Sequence, residues 1–172
     1  GLLTVKPVIY VGNLDEAGMA DAANDPNFLA LSEHARKQGA AVLPVAAKFE
    51  EDLAGLDEEE ARMFMEDLGF SERGLDRLIR TSYDLLGYIS FLTAGEDDVH
   101  AWTIVRGTKA PKAAGKIHKD IERGFIRAEI VAFDDLKRCG SMAAVKEKGL
   151  FRLEGKEYVM QDGDVTMFRF NV

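Results

Sequence analysis

Residues 5–11 (VKPVIYV) and 40–47 (AAVLPVAA) bracket the segment that decides the fold of the N-terminal half. Both are short apolar runs with β-branched residues, the composition of strands buried on both faces of a sheet. Between them Asp25-Pro26 predicts a helix start, because Asp is a favoured N-cap and proline suits the first helical position. Gly39 predicts the end of that helix. Strand, helix and strand in this order predict a βαβ unit with parallel strands.

Two further helices are expected after the second strand. Asp57 and Glu60 have the spacing of a capping box, and the apolar residues of 71–86 repeat at helical spacing. Two parallel strands alone cannot bury both faces of a sheet, since open α/β domains contain several. We therefore expect residues 1–87 to be the tail end of a larger α/β domain.

The chain changes character after Gly87. The patterns predict strands at 88–93 and 99–105 joined by a loop of turn formers at 94–98, a helix over 113–123, a strand at 125–133, a helix over 134–148 broken at Gly140, and strands at 150–153, 157–160 and 165–170. Two strands, a helix packed across them and further strands predict a β-grasp-like α+β domain over 88–172.

Composition places the chain in the soluble globular class. It has 172 residues, 47% of them apolar and 30% charged, with a net charge of −8. No apolar run approaches the roughly 20 residues of a membrane span, so no membrane partner is expected. Cys139 is the single cysteine, and three histidines are scattered, which disfavours a disulfide or a metal site and favours a reducing, cytoplasmic location.

The positive charge is concentrated in the second half. Residues 1–87 carry 8 basic and 17 acidic side chains, whereas residues 88–172 carry 14 and 13. Within 106–127 seven basic residues oppose only Asp120 and Glu122. This stretch is either a face for RNA or another phosphate ligand, or an ordinary solvated helix with its flanks. The candidates for such a face are Lys109, Lys112, Lys116, Lys119, Arg123 and Arg127.

The motif whose side chains could bind a ligand is Asn13-Leu14-Asp15-Glu16, directly after the first strand. Ligands of open parallel sheets bind at the carboxyl ends of the strands. An Asn side chain offers one acceptor and two donors to a purine edge, and a carboxylate accepts from ring or exocyclic N–H groups. The second strand ends at Ala46-Ala47-Lys48, so both ends are expected on one rim. This pair of motifs resembles the base-recognition elements N-K-x-D and S-A-K of P-loop GTPases.

The chain as a whole resembles the C-terminal portion of the YchF family of Obg-related, ribosome-associated ATPases. The stretches that carry the resemblance cover most of the chain: KPVIYVGNLDE (6–16), VLPVAAKFE (42–50), GLDRLIRTSYDLLG (74–87), FLTAGEDDVHAWTI (91–104), AAGKIHKDIERGFIRAEI (113–130) and EGKEYVMQDGDVTMFRFNV (154–172). In that family N-x-x-E, matched by Asn13 and Glu16, goes with a preference for ATP over GTP. Lys48 departs from the family's usual C-A-A element toward S-A-K.

The resemblance implies a fold and a set of partners. Residues 1–87 would be the C-terminal part of a P-loop NTPase domain, and residues 88–172 would be a TGS domain, which is a β-grasp module. The intact protein would bind ATP or GTP with Mg²⁺ and associate with the ribosome, on the large subunit or the 70S particle, and with RNA. The expected base-binding residues are Asn13, Leu14, Glu16, Ala46, Ala47 and Lys48.

No G-x-x-x-x-G-K-[ST] motif occurs in the sequence, so the phosphate cradle with its lysine is missing. Phosphoryl transfer depends on positioning and charge neutralisation around the γ-phosphate. We therefore expect these 172 residues by themselves neither to hydrolyse nucleotide nor to bind it tightly, and no catalytic residue is assigned. An RNA-binding or phosphate-binding module without catalysis, or a docking piece without a ligand, are the alternatives.

Two further residues have structural interpretations. His118, expected on the helix at 113–123, is interpreted as a hydrogen-bonding helix residue. Trp102 is either a core anchor or an exposed contact, and the core is favoured.

Overall fold

The computed structural model describes residues 1–95 and 98–171. The chain divides into two compact units, Gly1–Leu86 and Gly87–Val172. Glu96 and Asp97, in the middle of the predicted loop at 94–98, lie outside the described residues, as does Val172. The first unit has a parallel strand pair with helices, and the second has a mixed sheet with helices. The predicted combination of α/β and α+β structure is therefore confirmed.

The first unit is built around a βαβ element. Its elements are a 3₁₀ turn (Leu3–Val5), β1 (Ile9–Asn13), α1 (Glu16–Ala20), α2 (Pro26–Lys37), β2 (Ala41–Val45), α3 (Ala47–Ala54), α4 (Glu58–Asp67) and α5 (Gly74–Leu86). β1 and β2 pair in parallel from Ile9 opposite Ala41 to Asn13 opposite Val45. The predicted parallel pair with a helical crossover is thus confirmed.

Local capping explains two of these helix starts. The Asp25 side chain accepts a hydrogen bond from the Phe28 backbone N–H at 2.7 Å, with Pro26 in the first turn of α2. At α4, the Asp57 carboxylate accepts from the Glu60 backbone N–H at 2.9 Å, and the Glu60 side chain accepts from the Asp57 N–H at 3.2 Å. The capping box predicted from these two residues is therefore confirmed.

The sequence prediction was wrong about the first strand and its burial. The strand begins at Ile9 rather than Val5, because residues 3–5 form the 3₁₀ turn and Pro7 has no N–H for a ladder. It is not buried on both faces, since Val11 is 45% exposed. The apolar stripe of α5 is likewise half exposed, for example 54% at Leu75, and α5 begins at Gly74 rather than residue 71.

The second unit contains a five-stranded sheet with helices on both sides. Its elements are β3 (Tyr88–Ala94), β4 (Val99–Val105), α6 (Ala110–Ile117), α7 (Lys119–Arg123), β5 (Phe125–Ala132), α8 (Phe133–Cys139), α9 (Met142–Glu147), β6 (Arg152–Glu154) and β7 (Asp164–Phe170). The strand order is β4-β3-β7-β5-β6, with β3 and β7 parallel and the other neighbours antiparallel. This is the β-grasp arrangement that the order of elements predicted.

Two apolar clusters hold this sheet to its helices. The larger one joins α6 to the sheet, and its fully buried members include Phe91, Ala113 and Ile130. The smaller one contains Val145 of α9 and Val165 of β7. Burial of large side chains such as Phe91 contributes roughly 1.5–3 kcal/mol each, so these clusters fix where the polar faces of α6 and α7 point.

Two predictions in the second unit were wrong in detail. The helix expected over 113–123 is two helices, because His118 has extended backbone angles (φ −158°, ψ 142°), and the first of them starts earlier, at Ala110. Residues 157–160 form no strand and make only an isolated bridge between Val159 and Lys109. The break at Gly140 is confirmed, since its φ of 74° is left-handed and favours glycine.

Candidate functional site

The carboxyl ends of β1 and β2 lie side by side. Asn13 is opposite Val45, and the Leu14 N–H donates to the Val45 carbonyl at 2.9 Å, which extends the pairing by one residue. Both strands then lead into helices, α1 at Glu16 and α3 at Ala47. The Asn13–Glu16 and Ala46–Lys48 segments therefore share one rim, which we call the strand-end rim.

A side-chain hydrogen bond joins the two segments. The Asn13 side-chain oxygen Oδ1 accepts from the Ala47 backbone N–H at 3.0 Å. The N-cap residue of α3 is Ala46, which has no side chain able to accept a hydrogen bond. Asn13, 34 residues before Ala47 in the sequence, therefore satisfies one of the unpaired N–H groups at the start of that helix. Among residues 1–95 and 98–171, the Asn13 amide nitrogen Nδ2 has no partner, which leaves two N–H donors for a ligand.

A shallow cavity of about 290 Å³ opens at the strand-end rim. It is lined by Leu14, Asp15, Glu16, Ala17, Ala46, Lys48 and Phe49. Asp15 Oδ1 accepts from the Gly18 N–H at 2.7 Å and caps α1, so one of its two carboxylate oxygens is engaged. The Glu16 carboxylate has no hydrogen-bond or ionic partner in the described part of the chain. Glu16 is therefore the carboxylate in this cavity that has both oxygens available to an exocyclic amine or ring N–H.

The Lys48 ammonium is held by its own helix. It lies 2.9 Å from Asp52 Oδ1 and 3.2 Å from Glu51 Oε2, at the i+4 and i+3 positions of α3. The hydrogen bond to Asp52, and then that to Glu51, raises the pKa of Lys48 above its ordinary value. Lys48 was expected at the base site from its place in the motif, and its two ionic partners were not predicted, although acidic residues three and four positions later are a signal for them in the sequence.

The predicted basic face is largely neutralised by internal ion pairs. Lys109, Lys112 and Lys116 lie on or beside α6, Lys119 and Arg123 on α7, and Arg127 on β5. The ion pairs are Lys109–Glu157, Lys112–Glu122, Arg123–Asp120 and Arg127–Glu129. Within the described ranges, Lys116 and Lys119 have no acidic partner. Four of the seven basic residues of 106–127 are therefore paired with carboxylates, and Lys116 and Lys119 are exposed ammonium groups without such a pairing in the described ranges.

His118 makes the structural hydrogen bond that was expected, although as the N-cap of α7 rather than within a helix, and Trp102 packs against the core as the sequence favoured. The His118 Nδ1 accepts from the Asp120 backbone N–H at 3.2 Å and caps α7. Trp102 packs against the larger apolar cluster, and its indole N–H donates to Thr93 Oγ1 at 3.0 Å. Each side chain thus makes a local structural hydrogen bond.

Neither a metal-binding cluster nor a membrane-spanning helix occurs among the described residues. No group of three or more His, Cys, Asp or Glu residues there could hold a metal ion. None of the helices described has both the length and the apolar character needed to cross a lipid bilayer.

Comparison with known proteins links the chain to one family. A family model, YchF-GTPase_C, described as "Protein of unknown function (DUF933)", matches residues 88–171. The "Ribosome-binding ATPase YchF" of Bacillus subtilis is 54% identical over 171 residues, which are 99% of this chain and 47% of that protein. "Obg-like ATPase 1" of Oryza sativa is 44% identical over an alignment of 174 positions, which covers 99% of this chain and 43% of that protein.

The solved structures agree. The Schizosaccharomyces pombe YchF GTPase superposes with a TM-score of 0.82 at 36% identity, covering 98% of this chain and 44% of that one. A GTP-binding protein from Pyrococcus horikoshii, at 22% identity and a TM-score of 0.65, shares the fold. The chain aligns with the C-terminal parts of the curated relatives and spans about half of their length.

Proposed function

The chain belongs to the YchF family, and on that premise we propose that its strand-end rim recognises the purine base of ATP, in preference to GTP. In this proposal residues 1–87 are the C-terminal part of a P-loop NTPase domain and residues 88–172 are a TGS domain. Relatives in this family are named ribosome-binding ATPases. We extend both ribosome association and nucleotide binding to the protein of which these residues are part.

The hydrogen bond between Asn13 and Ala47 is the observation that carries this proposal. In this bond the Asn13 oxygen accepts from the protein backbone. The two N–H donors of the Asn13 amide remain available to an acceptor such as a purine ring nitrogen. Glu16, in the adjoining cavity, supplies the complementary acceptor for the exocyclic amine of adenine. A donor and an acceptor on one rigid rim are what recognition of a base edge requires.

The rim contributes base recognition and not phosphate chemistry. Lys48 is paired with Glu51 and Asp52, and the sequence has no P-loop motif. Base contacts alone are few, so we expect weak binding without hydrolysis by these 172 residues. The triphosphate and Mg²⁺ would be held by parts of the relatives that this chain does not span.

Nuclear magnetic resonance titration tests the proposal. ATP should shift the amide signals of Asn13, Ala46 and Ala47, and GTP should shift them less. Glu16→Gln removes the charged acceptor at constant size and should reduce the ATP shifts. Glu33→Gln on α2 is the matched control, because Glu33 is exposed and does not line the cavity.

Other outcomes of these experiments would contradict the proposal. Tight magnesium-dependent binding, or release of inorganic phosphate by these residues alone, would contradict the claim that the phosphate machinery is absent. Equal ATP shifts in Glu16→Gln and in the unchanged protein would remove Glu16 from base recognition.

A second candidate function concerns the second unit. Lys116 and Lys119 are exposed and lack acidic partners within 87–95 and 98–171, which favours a contact with RNA or another phosphate ligand. This contact requires no catalysis, and it is compatible with ribosome association by the same chain.

A further inference from the structure

A cavity of about 560 Å³ lies beside α6 and α7 in the second unit. The residues that line it include Thr108, Lys112, Gly115, Lys116 and Glu122. It therefore places two lysines from successive turns of α6 next to one carboxylate from α7. None of the base-recognition residues of the first unit takes part in it.

The carboxylate of Glu122 is seated on α6. Its Oε1 lies 2.5 Å from the Lys112 ammonium. Residue 115 must be small for this approach, because a Cβ on Gly115 would lie 2.2 Å from Glu122 Oε2. The chain thus provides an anionic group of its own to Lys112 inside the cavity.

This internal ion pair is easy to displace. The Lys112 side chain is 74% exposed and that of Glu122 is 32% exposed, and ion pairs with such access to water contribute little to stability. Lys116, one turn further along α6, has no acidic partner in the described part of the unit. An incoming phosphate group whose oxygens reach both ammonium groups would gain the contact to Lys116 that the Glu122 carboxylate does not make.

We propose that a nucleotide phosphate group displaces Glu122 from Lys112 and is then held by Lys112 and Lys116. The inference rests on the proposed phosphate-binding role of the second unit, and it assigns that role to one cavity with Glu122 as the built-in competitor. The shared chemistry is a phosphate oxyanion, which an RNA backbone or a free phosphate compound can supply.

The sharpest test is a variant that gains binding. Glu122→Gln, in the 172-residue chain, should bind a short single-stranded RNA oligonucleotide about three-fold more tightly than the unchanged protein at low salt, the range expected for losing one half-exposed ion pair. Glu147→Gln on α9 is the matched control, because it removes an equal charge from an exposed residue outside the cavity. Misfolding cannot produce such a gain.

Two further variants check the mechanism. Lys112→Ala should weaken RNA binding. In the Lys112→Ala background, Glu122→Gln should give no gain in affinity, because the ion pair between residues 112 and 122 is already absent. Gly115→Ala should raise affinity by an independent route, since the added Cβ pushes the carboxylate away from α6.

The arms of the experiment separate the possible sources and failures. Shifts of the Gly115 amide by inorganic pyrophosphate alone indicate a free phosphate compound, whereas shifts by RNA alone indicate the backbone of a nucleic acid, and both support the proposal. If Glu122→Gln and Glu147→Gln raise RNA affinity equally, or if Glu122→Gln binds RNA no more tightly than the unchanged protein, the displacement of Glu122 is contradicted. RNA binding by the second unit would then still be supported. No binding by any variant overturns both.

Discussion

The side chain of Asn13, at the end of β1, accepts a hydrogen bond at 3.0 Å from the backbone N–H of Ala47, at the start of α3. This side chain thus joins the end of β1 to the first residue of α3, the helix that follows the neighbouring parallel strand β2. The contact sets the spacing between the donor side of the rim at Asn13 and the backbone of the Ala46–Lys48 segment. Base recognition on this rim, as proposed, would depend on that spacing.

Asn13→Ala should therefore loosen the start of α3. It leaves the Ala47 N–H without its acceptor, and loss of one hydrogen bond of this kind costs about 0.5–1.5 kcal/mol in the free energy of unfolding. Hydrogen exchange of the Ala47 amide should become faster, and urea denaturation should show the lower stability. Asn13→Asp keeps an acceptor oxygen and is the control. Equally slow Ala47 exchange in Asn13→Ala would mean that the contact does not hold this helix start.

Gly124→Ala should destabilise the second unit. A Cβ at this position would lie 2.2 Å from the Asn171 carbonyl oxygen, and the Asn171 N–H donates to the Gly124 carbonyl at 2.9 Å. Because the obstructing atoms belong to the backbone, relief requires a shift of the end of β7, at a cost of about 1–3 kcal/mol.

Gly155→Ala is the matched control for this substitution, since a Cβ there meets nothing within 4 Å. We expect its free energy of unfolding, measured by chemical denaturation, to stay within about 0.5 kcal/mol of the unchanged protein. Equal stabilities of the two variants would argue against close contact between Gly124 and Asn171.

Glu129 should make the second unit sensitive to acid. Its carboxylate accepts from Arg169 Nε at 2.9 Å and Nη2 at 3.0 Å, and this hydrogen bonding lowers the pKa of Glu129 against the opposing effect of burial. Because the folded-state pKa lies below the unfolded one, this stabilisation is complete above the unfolded pKa of about 4.3 and is lost as the pH falls through the folded pKa.

Glu129→Gln should consequently flatten the dependence of unfolding free energy on pH in the acid range. Chemical denaturation at a series of acidic pH values measures this, with Glu147→Gln as a control that should keep the slope of the unchanged protein. An unaltered slope in Glu129→Gln would show that the pair with Arg169 does not stabilise the fold in an acid-sensitive way.

The sequence predicted those parts of the fold that depend on local chemistry. Asp25-Pro26 and the Asp57–Glu60 pair mark helix starts through hydrogen bonds made within one turn, so the helix boundaries followed from residue type alone. The order of strands and helices after Gly87 was enough to predict a β-grasp sheet, because few arrangements can bury that order of elements.

The remainder depends on contacts between residues far apart in sequence. Ala47 was expected in a strand, yet it starts a helix whose first N–H group is satisfied by Asn13. The break at His118 depends on that side chain capping the next helix. The pairing of Lys112 with Glu122 spans this break, so no i,i+4 spacing revealed it. The count of charged residues along the sequence therefore overestimated the free positive charge of the basic face.

Lys116 and Lys119, the lysines of the basic face that lack an acidic partner within the described ranges, should dominate any electrostatic contact with RNA. Neutralising one phosphate contact to a single strand changes the slope of log affinity against log salt by roughly 0.7. We expect Lys116→Ala and Lys119→Ala each to reduce the slope by about that amount. Arg123→Ala should have a smaller effect, because the guanidinium already lies 3.1 Å from Asp120. Lys137→Ala, on α8 and outside the proposed face, is the control, and a slope change equal to that of Lys116→Ala would show that net charge alone governs binding.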